Sequence, residues 1–392
     1  VISNKTRPVQ ERLIVRRLDE QDAGSIAEFY RAAEWDHNAT DEGVREMLLT
    51  VALENPFERG EAPPTVGAFL GSRLVGFVTT IPTQFWNGKK YAAAHWLKGL
   101  WVLQEHRNGP IALLLMRGIL KHVDLVASMP AAPVARRLSA ALGMLDLGAV
   151  RDYIEPLRPT RILRKLDFRR FEHLSVLPRT LSAAIKVAKI PPLVYAIGGL
   201  ISLALTVLRL PSAFAARQLT TQLGARLPTE AELDNLWLRA QCAGTSSPTR
   251  SGAYLRWRYE ADGKGHYCFA SAWRGHELVG LAVLAPPLRP DDSRIAGLRI
   301  GSVVDLVLDS NCSTALPILL GVARRWARAA NYDALLLTAS HLGLRGQLLR
   351  AGYVQMPGNI HLMLRDVGGK NGLSTDLGAW MVTRGDAWGD QL

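Results

Sequence analysis

Residues 101–120 read WVLQEHRNGPIALLLMRGIL. A run of Trp, Val and Leu with strand character breaks into a polar stretch holding Arg107, Asn108, Gly109 and Pro110, and a long apolar, helix-forming run then starts at Ile111 and Ala112. A tight strand-to-helix turn with a basic residue in it suits an anion seated on the helix N-terminus, where unpaired N–H groups and the helix dipole both favour negative charge. Small residues let the backbone approach such a ligand, and Arg107 adds a permanently charged, bidentate partner. Pro110 removes one N–H donor, yet proline is at home in a first helical turn.

Outward from this turn the chain repeats itself. GSRLVGFVTTIP at 71–82 and GHELVGLAVLAP at 275–286 share the frame G-x-x-L-V-G-x-x-x-x-x-P, and both read as a tight turn between two strands. Each is followed by an apolar strand (HWLKGLWVL at 95–103, IGSVVDLVL at 300–308) and a helix (Ala112–Gly118, Ala315–Gly321). A short buried strand comes next (DLVAS at 124–128, DALLLTAS at 333–340), and then a helix stopped by Gly143 or Gly352. Ahead of the first copy, LIVRRLDEQDAGSIAEFYRAAEW predicts a strand and a helix capped by Asp22, and a second helix starts at Thr40. PTEAELDNLWLRAQ and SGAYLRWRYEA predict two helices that open the second copy.

Four matched frames in one order imply a duplicated domain. The expected fold class is α/β (α+β), with two tandem domains, each a mixed, mostly antiparallel sheet flanked by helices. The boundaries fall at 11–160 and 228–367, with a basic and hydrophobic connector at 161–227 and a tail at 368–392. A length of 392 residues suits two or three cores. The net charge of +12 favours anionic partners. Cys242, Cys268 and Cys312 are widely spaced and support neither a disulfide framework nor a zinc cluster, so a reduced, cytoplasmic setting is expected. The opening residues have no apolar h-region, so no cleavable signal peptide is expected.

A strand, a turn of the form R-x-x-G-x-G/A and a helix, followed by a strand and a helix ending near Leu142, Gly143 and Met144, resemble the GCN5-related N-acetyltransferase (GNAT) superfamily. The resemblance implies that Arg107, Asn108, Gly109, Pro110, Ile111 and Ala112 hold the pyrophosphate of acetyl-CoA or a longer acyl-CoA. It also implies that Leu100, Trp101 and Val102 line the thioester arm, and that the acyl group passes to an amine held between the copies. The tyrosine that often protonates the departing thiolate in this family is replaced by Ser139 and Leu348. The second turn, DSNCSTALPILL, has neither glycine nor arginine and reads as a half that shapes the acceptor side. Tandem members of the superfamily, such as those resembling protein N-myristoyltransferase, divide labour in this way.

Two residues that bracket the proposed thioester strand, His95 and Glu105, are candidates for the base that deprotonates the amine. Asp36 and His37, and a terminal carboxylate at Leu392, are further candidates from the resemblance. His341 and His361 are isolated in the sequence, and no metal site is expected. YLRWRY at 254–259 reads as a core helix with snorkelling arginines rather than a stacking platform, and nucleic acid is not expected as a partner.

The connector stretch 190–208 has no charge and follows a basic segment. It reads as a helix packed between domains, as an in-plane contact with an anionic membrane surface, or as a span. Membrane contact would place the protein at the inner face of a membrane and favour a lipid-linked acceptor, such as an amino sugar of envelope or exopolysaccharide assembly. Two other readings stay open: a non-catalytic module of this fold that binds anionic lipid or nucleic acid, and an aminoacyl-tRNA-dependent transferase.

Overall fold

A computed structural model describes residues 12–33, 39–45, 54–57, 65–165, 191–215, 219–242, 244–260, 266–287 and 297–386. Asp36, His37, Leu392 and the basic segment 166–190 lie outside the described residues. The first copy runs β1 (Leu13–Arg17), α1 (Ala23–Ala32), β2 (Thr65–Leu70), β3 (Arg73–Trp86), β4 (Tyr91–Val102), α2 (Ile111–Ile119), β5 (Leu125–Ser128), α3 (Pro133–Ala141), β6 (Leu145–Ala149) and β7 (Arg151–Pro156). Two connector helices follow, α4 (Pro159–Lys165) and α5 (Pro191–Ala215). The second copy then runs β8 (Thr220–Gly224), α6 (Glu230–Ala240), β9 (Ser247–Pro248), α7 (Gly252–Tyr259), β10 (Cys268–Arg274), β11 (Glu277–Ala285) and β12 (Ile300–Leu308). It ends with α8 (Ala315–Ala329), β13 (Ala334–Ala339), α9 (Leu342–Arg350), β14 (Val354–Met356) and β15 (His361–Asp366).

The duplication extends to small irregularities of the backbone. Gly71–Ser72 and Gly275–His276 each close a two-residue hairpin, and each hairpin carries a register shift at the equivalent place, between Ala68 and Phe69 and between Ala272 and Trp273. α3 and α9 stop as predicted. Gly143 has φ 83°, with the Met144 N–H on the Ser139 carbonyl at 3.1 Å, and Gly352 has φ 92°, with the Tyr353 N–H on the Leu348 carbonyl at 3.0 Å.

The two sheets exchange their last strands. The first has the order β1-β2-β3-β4-β5-β15-β6 and the second β14-β7-β13-β12-β11-β10-β8. Thus β7, from the first copy, pairs antiparallel with β13 from Ala334↔Pro156 to Ala339↔Arg151, and β15 pairs with β5 from Met363↔Ser128 to Asp366↔Leu125. Each compact unit is therefore discontinuous in sequence: residues 360–372 count with the first, and 86–90, 149–359 and 373–392 with the second. The exchanged strands carry core residues, Met363 in the first and Tyr153 in the second. Burying a side chain of this size contributes about 1.5–3 kcal/mol, so the exchange is part of each core.

In the first unit α1 and α2 cover the sheet with Ile26, Phe29, Leu115 and Ile119 against Phe77, Val78 and Val126. Asp22 departs from its predicted role. It makes no side-chain bond to the helix and instead grips Arg16 through two contacts of 2.6 and 2.7 Å, because a guanidinium offers a stronger, charge-assisted partner than a helix amide. In the second unit Thr229 and Glu232 form a capping box on α6, and Ser251 caps α7. Tyr254 and Tyr259 of α7 are buried, as expected of a core helix, but Arg258 does not snorkel: it is buried too, and donates to the Tyr267 hydroxyl and the Gly385 carbonyl, both at 3.4 Å.

α5 packs one narrow face, Val194, Gly198 and Leu205, and leaves Tyr195, Leu200, Leu203 and Val207 exposed. A side chain at Gly198 would collide with Thr160 of α4, 2.2 Å away. Among the described residues no helix is long and apolar enough to cross a membrane.

Candidate functional site

In the first unit β4 and β5 run parallel, but only His95↔Val126 and Trp96↔Ala127 are in register. Beyond them Leu97–Val102 diverges and is half-buried, so its backbone is no longer matched by β5. Gly99 sits inside this stretch at φ 72°, and a Cβ there would lie 2.2 Å from the Trp101 ring. Only glycine combines that dihedral with that contact, and the left-handed residue interrupts the pleat where the strand departs. Trp101 packs on Phe77 at 4.9 Å, which holds the divergent end in place.

The chain then turns through a short 3-10 segment, Gln104–His106, into α2. The Gly109 N–H is taken by the His106 carbonyl at 3.1 Å, and the first bond internal to α2 is Leu114 N–H to the Pro110 carbonyl at 3.0 Å. The N–H groups of Asn108, Ile111 and Ala112 have no partner among the described residues. Pro110 adopts φ −78°, ψ −2°, ready for the helix. Arg107 is exposed, and its Nε donates to the Val102 carbonyl at 3.1 Å, which leaves both Nη groups unpartnered among the described residues. Open amides at a helix start beside a tethered guanidinium form an anion cradle.

The two candidate bases lie in different surroundings. Glu105 is exposed and pairs with Arg73 at 3.2 Å; a backbone N–H bond first, and then Arg73, hold its carboxyl below the usual range. His95 stands one residue before the last register pair, Trp96↔Ala127, with Nδ1 3.2 Å from Thr80 Oγ1. Burial pushes its pKa down to about 4, so the imidazole is neutral at neutral pH but a weak proton acceptor.

Ser139 and Leu348, where the resemblance leads one to expect a tyrosine, are both buried. Two groups escaped the sequence reading. Ser128 Oγ, at the end of β5, is buried without a hydrogen-bond partner, and the Tyr30 phenol packs on Phe77 at 6.0 Å with its pKa pushed up to about 12 by burial. Sequence order alone could not bring α1 or the end of β5 to this strand.

His361 is not isolated. Its Nδ1 meets both Asp146 oxygens at 2.9 and 3.0 Å and its Nε2 meets Arg136, which clasps the exchanged β15 to β6 and α3. His341 caps α9, its Nδ1 accepting the Gly343 N–H at 3.2 Å. Among the described residues no cluster of side chains could hold a metal ion.

The second copy repeats the geometry with different chemistry. β12 pairs with β13 only from Ile300↔Ala334 to Val303↔Leu337 and then diverges toward α8. Four of the N–H groups at its turn are taken from within: Asn311 N–H bonds the Asp309 carboxylate at 2.8 Å, Cys312 N–H the Asp309 carbonyl at 3.0 Å, Ser310 N–H the Arg239 carbonyl at 3.2 Å and Ala315 N–H the Cys312 carbonyl at 3.1 Å, while those of Ser313, Thr314 and Leu316 have no partner among the described residues. Asp309 also pairs with Arg239 at 2.9 Å. Below this corner Arg250 is fully buried between Asp305 (2.7 Å) and Asp386 (2.8 Å), and Tyr259 donates to Asp305 at 3.0 Å. Burial, reinforced by the neighbouring Asp305, raises the Asp386 pKa to about 6 despite Arg250.

No protein-family model and no curated protein sequence matches the chain. Solved structures do. A GCN5-related N-acetyltransferase from Kribbella flavida aligns over 92% of this chain and 72% of its own, with a TM-score of 0.55 at 14% identity. The Saccharomyces cerevisiae N-myristoyltransferase with bound myristoyl-CoA aligns over 93% of this chain and 80% of its own, with a TM-score of 0.50 at 14% identity. A GCN5-related glucosamine N-acetyltransferase region of a fungal multi-domain enzyme aligns over 93% of this chain and 39% of its own, with a TM-score of 0.50 at 12% identity. Alignments that span nearly the whole chain, together with two diverging parallel strand pairs and a helix start beyond each, assign it the GCN5-related N-acetyltransferase fold, written twice.

Proposed function

We propose that the protein is an acyl-CoA-dependent N-acyltransferase, most simply an N-acetyltransferase, whose first unit binds the donor. The observation that carries this reading is the divergence of β4 after Trp96, which leads into open amides and an anchored guanidinium. The diphosphate of the donor would sit on the N–H groups of Asn108, Ile111 and Ala112 and on Arg107, with Gly109 and Pro110 shaping the turn. The pantetheine amides would bond the backbone of Leu100, Trp101 and Val102, which β5 has vacated. An amine nitrogen then attacks the thioester carbonyl, gives up its proton and expels the thiolate, with His95 as the candidate proton acceptor. One neighbour's name gives glucosamine, one gives bound myristoyl-CoA and one gives no substrate, so the fold leaves the acceptor open; an amino sugar, free or lipid-linked, is one class that the reading accommodates.

A second reading is a donor-binding module without turnover. It is favoured by the low basicity of His95 and by the engagement of Glu105 with Arg73. Calorimetry with coenzyme A and acetyl-CoA tests both. Absence of binding at millimolar ligand ends the donor proposal, and tight binding without acyl transfer to any of a panel of amines leaves the module. Activity insensitive to ribonuclease removes a tRNA donor.

A further inference from the structure

The second unit contains a cavity of about 270 Å³ where β12 parts from β13. Leu306, Leu308 and Leu316 give it an apolar floor, Trp86 a wall, and His341 and Gln347 a polar rim. The wall is fixed. Trp86 Nε1 donates to the Cys242 carbonyl at 3.4 Å, and Gly88 (φ 90°), two residues on, lies so close to Gly244 that a Cβ would come within 2.5 Å of its nitrogen.

The charges that border the cavity are already neutralised. Asp309 is held by Arg239 and the Asn311 amide, and Arg250 by Asp305 and Asp386. Among the described residues, a phosphate or carboxylate entering here would meet no unpaired cation, and an ammonium no unpaired carboxylate. The uncommitted groups are neutral. Gln347 Oε1 is buried with no partner, and His341, whose Nδ1 accepts the Gly343 N–H, keeps its proton on Nε2 as a donor. A pure hydrocarbon would desolvate the His341 N–H without replacing its hydrogen bond and would leave Gln347 Oε1 unsatisfied.

We propose that this cavity is a second ligand site, separate from the anion cradle, that takes an uncharged, hydroxyl-bearing ring of pyranose size, stacked on Trp86 and hydrogen-bonded to Gln347 and His341. The volume accommodates one ring and its substituents rather than a disaccharide. An indole presents an apolar face to the C–H groups of such a ring while the hydroxyls reach the rim. The site goes beyond the acyl-transfer reading and does not depend on it.

The test is calorimetry of the full chain with N-acetylglucosamine, glucose 6-phosphate and adenosine, and with coenzyme A in parallel. We expect N-acetylglucosamine to bind and glucose 6-phosphate to bind at least about tenfold more weakly, since a phosphate would be desolvated without a partner. Trp86→Ala and Gln347→Leu should each weaken the sugar about tenfold, the loss of one stacking or hydrogen-bond contact. Trp86→Phe should retain most of the affinity, and coenzyme A affinity should be unchanged in all three variants. Circular dichroism melts identify any variant that fails to fold, in which case Trp86→Leu or Gln347→Met, closer in volume and without the ring face or the amide, takes its place. The proposal is overturned by preferential binding of adenosine or the phosphorylated sugar, by no binding of N-acetylglucosamine, or by sugar affinity undiminished in the folded variants.

Discussion

The two strand-to-helix turns share a backbone plan and differ in where their N–H groups go. In the first, among the described residues, Asn108, Ile111 and Ala112 keep theirs open, and Arg107 is tethered only at the Val102 carbonyl. In the second, Asp309 takes the Asn311 and Cys312 amides, Arg239 the Ser310 amide and Cys312 the Ala315 amide, so that only Ser313, Thr314 and Leu316 keep open donors among the described residues, beside the Asp309 carboxylate and an Arg239 already paired with it. A duplicated motif thus becomes a cradle for an anion or a rigid corner, according to whether an unpaired guanidinium or a carboxylate stands at its donors. Changes at the first turn should therefore alter ligand binding, and changes at the second should alter stability.

The largest effect falls on the closed side. Arg250→Met leaves Asp305 and Asp386 buried without their shared cation and should cost about 3–5 kcal/mol in denaturant unfolding; near-parental stability would break the contrast. On the open side, Arg107→Ala combined with Asn108→Asp should weaken coenzyme A about a hundredfold, because a charge-assisted bond is worth about 1.5–3 kcal/mol and the new carboxylate repels the diphosphate. The melting temperature should not move, and a fall in stability without a loss of binding would invert the assignment.

Gly99→Val forces a β-branched side chain into the left-handed region and against Trp101, and should cost roughly 1–3 kcal/mol while it also weakens coenzyme A. A smaller, pH-dependent effect comes from Asp386. Its folded pKa, about 6, lies above the unfolded value near 3.8, so the folded state binds the extra proton. That contribution is full below about pH 4 and is lost as pH rises through about 6; Asp386→Asn should flatten unfolding curves across this window. Glu105→Gln, smallest of all, should leave melting and donor binding unchanged, which titration and thermal unfolding check together.

What the sequence made legible was local. The hairpin frames at Gly71 and Gly275, the helix stops at Gly143 and Gly352 and the Arg107 turn each depend on residues a few positions apart. The exchange of β7 and β15 was not legible, because an alternating strand has the same pattern in whichever sheet it lies. Asp22 reads as a cap until the fold brings Arg16 to it, and His361 reads as isolated until β15 meets Asp146. The candidate site divides in the same way. Its turn is contiguous in the chain, whereas the low basicity of His95, the buried Ser128 hydroxyl and the Trp86 wall arise only from packing.

The placement of β15 has a consequence for how the protein is made. The first sheet cannot close until the ribosome has synthesised the whole second copy, because Met363 and Leu364 are the residues that cover Ser128 and Ala127. Until then β5 presents an open edge, a template for mispairing with other chains. Such long-range closure is slow, so a chain cut before residue 360 should be captured by chaperones or aggregate rather than survive as a free-standing first half.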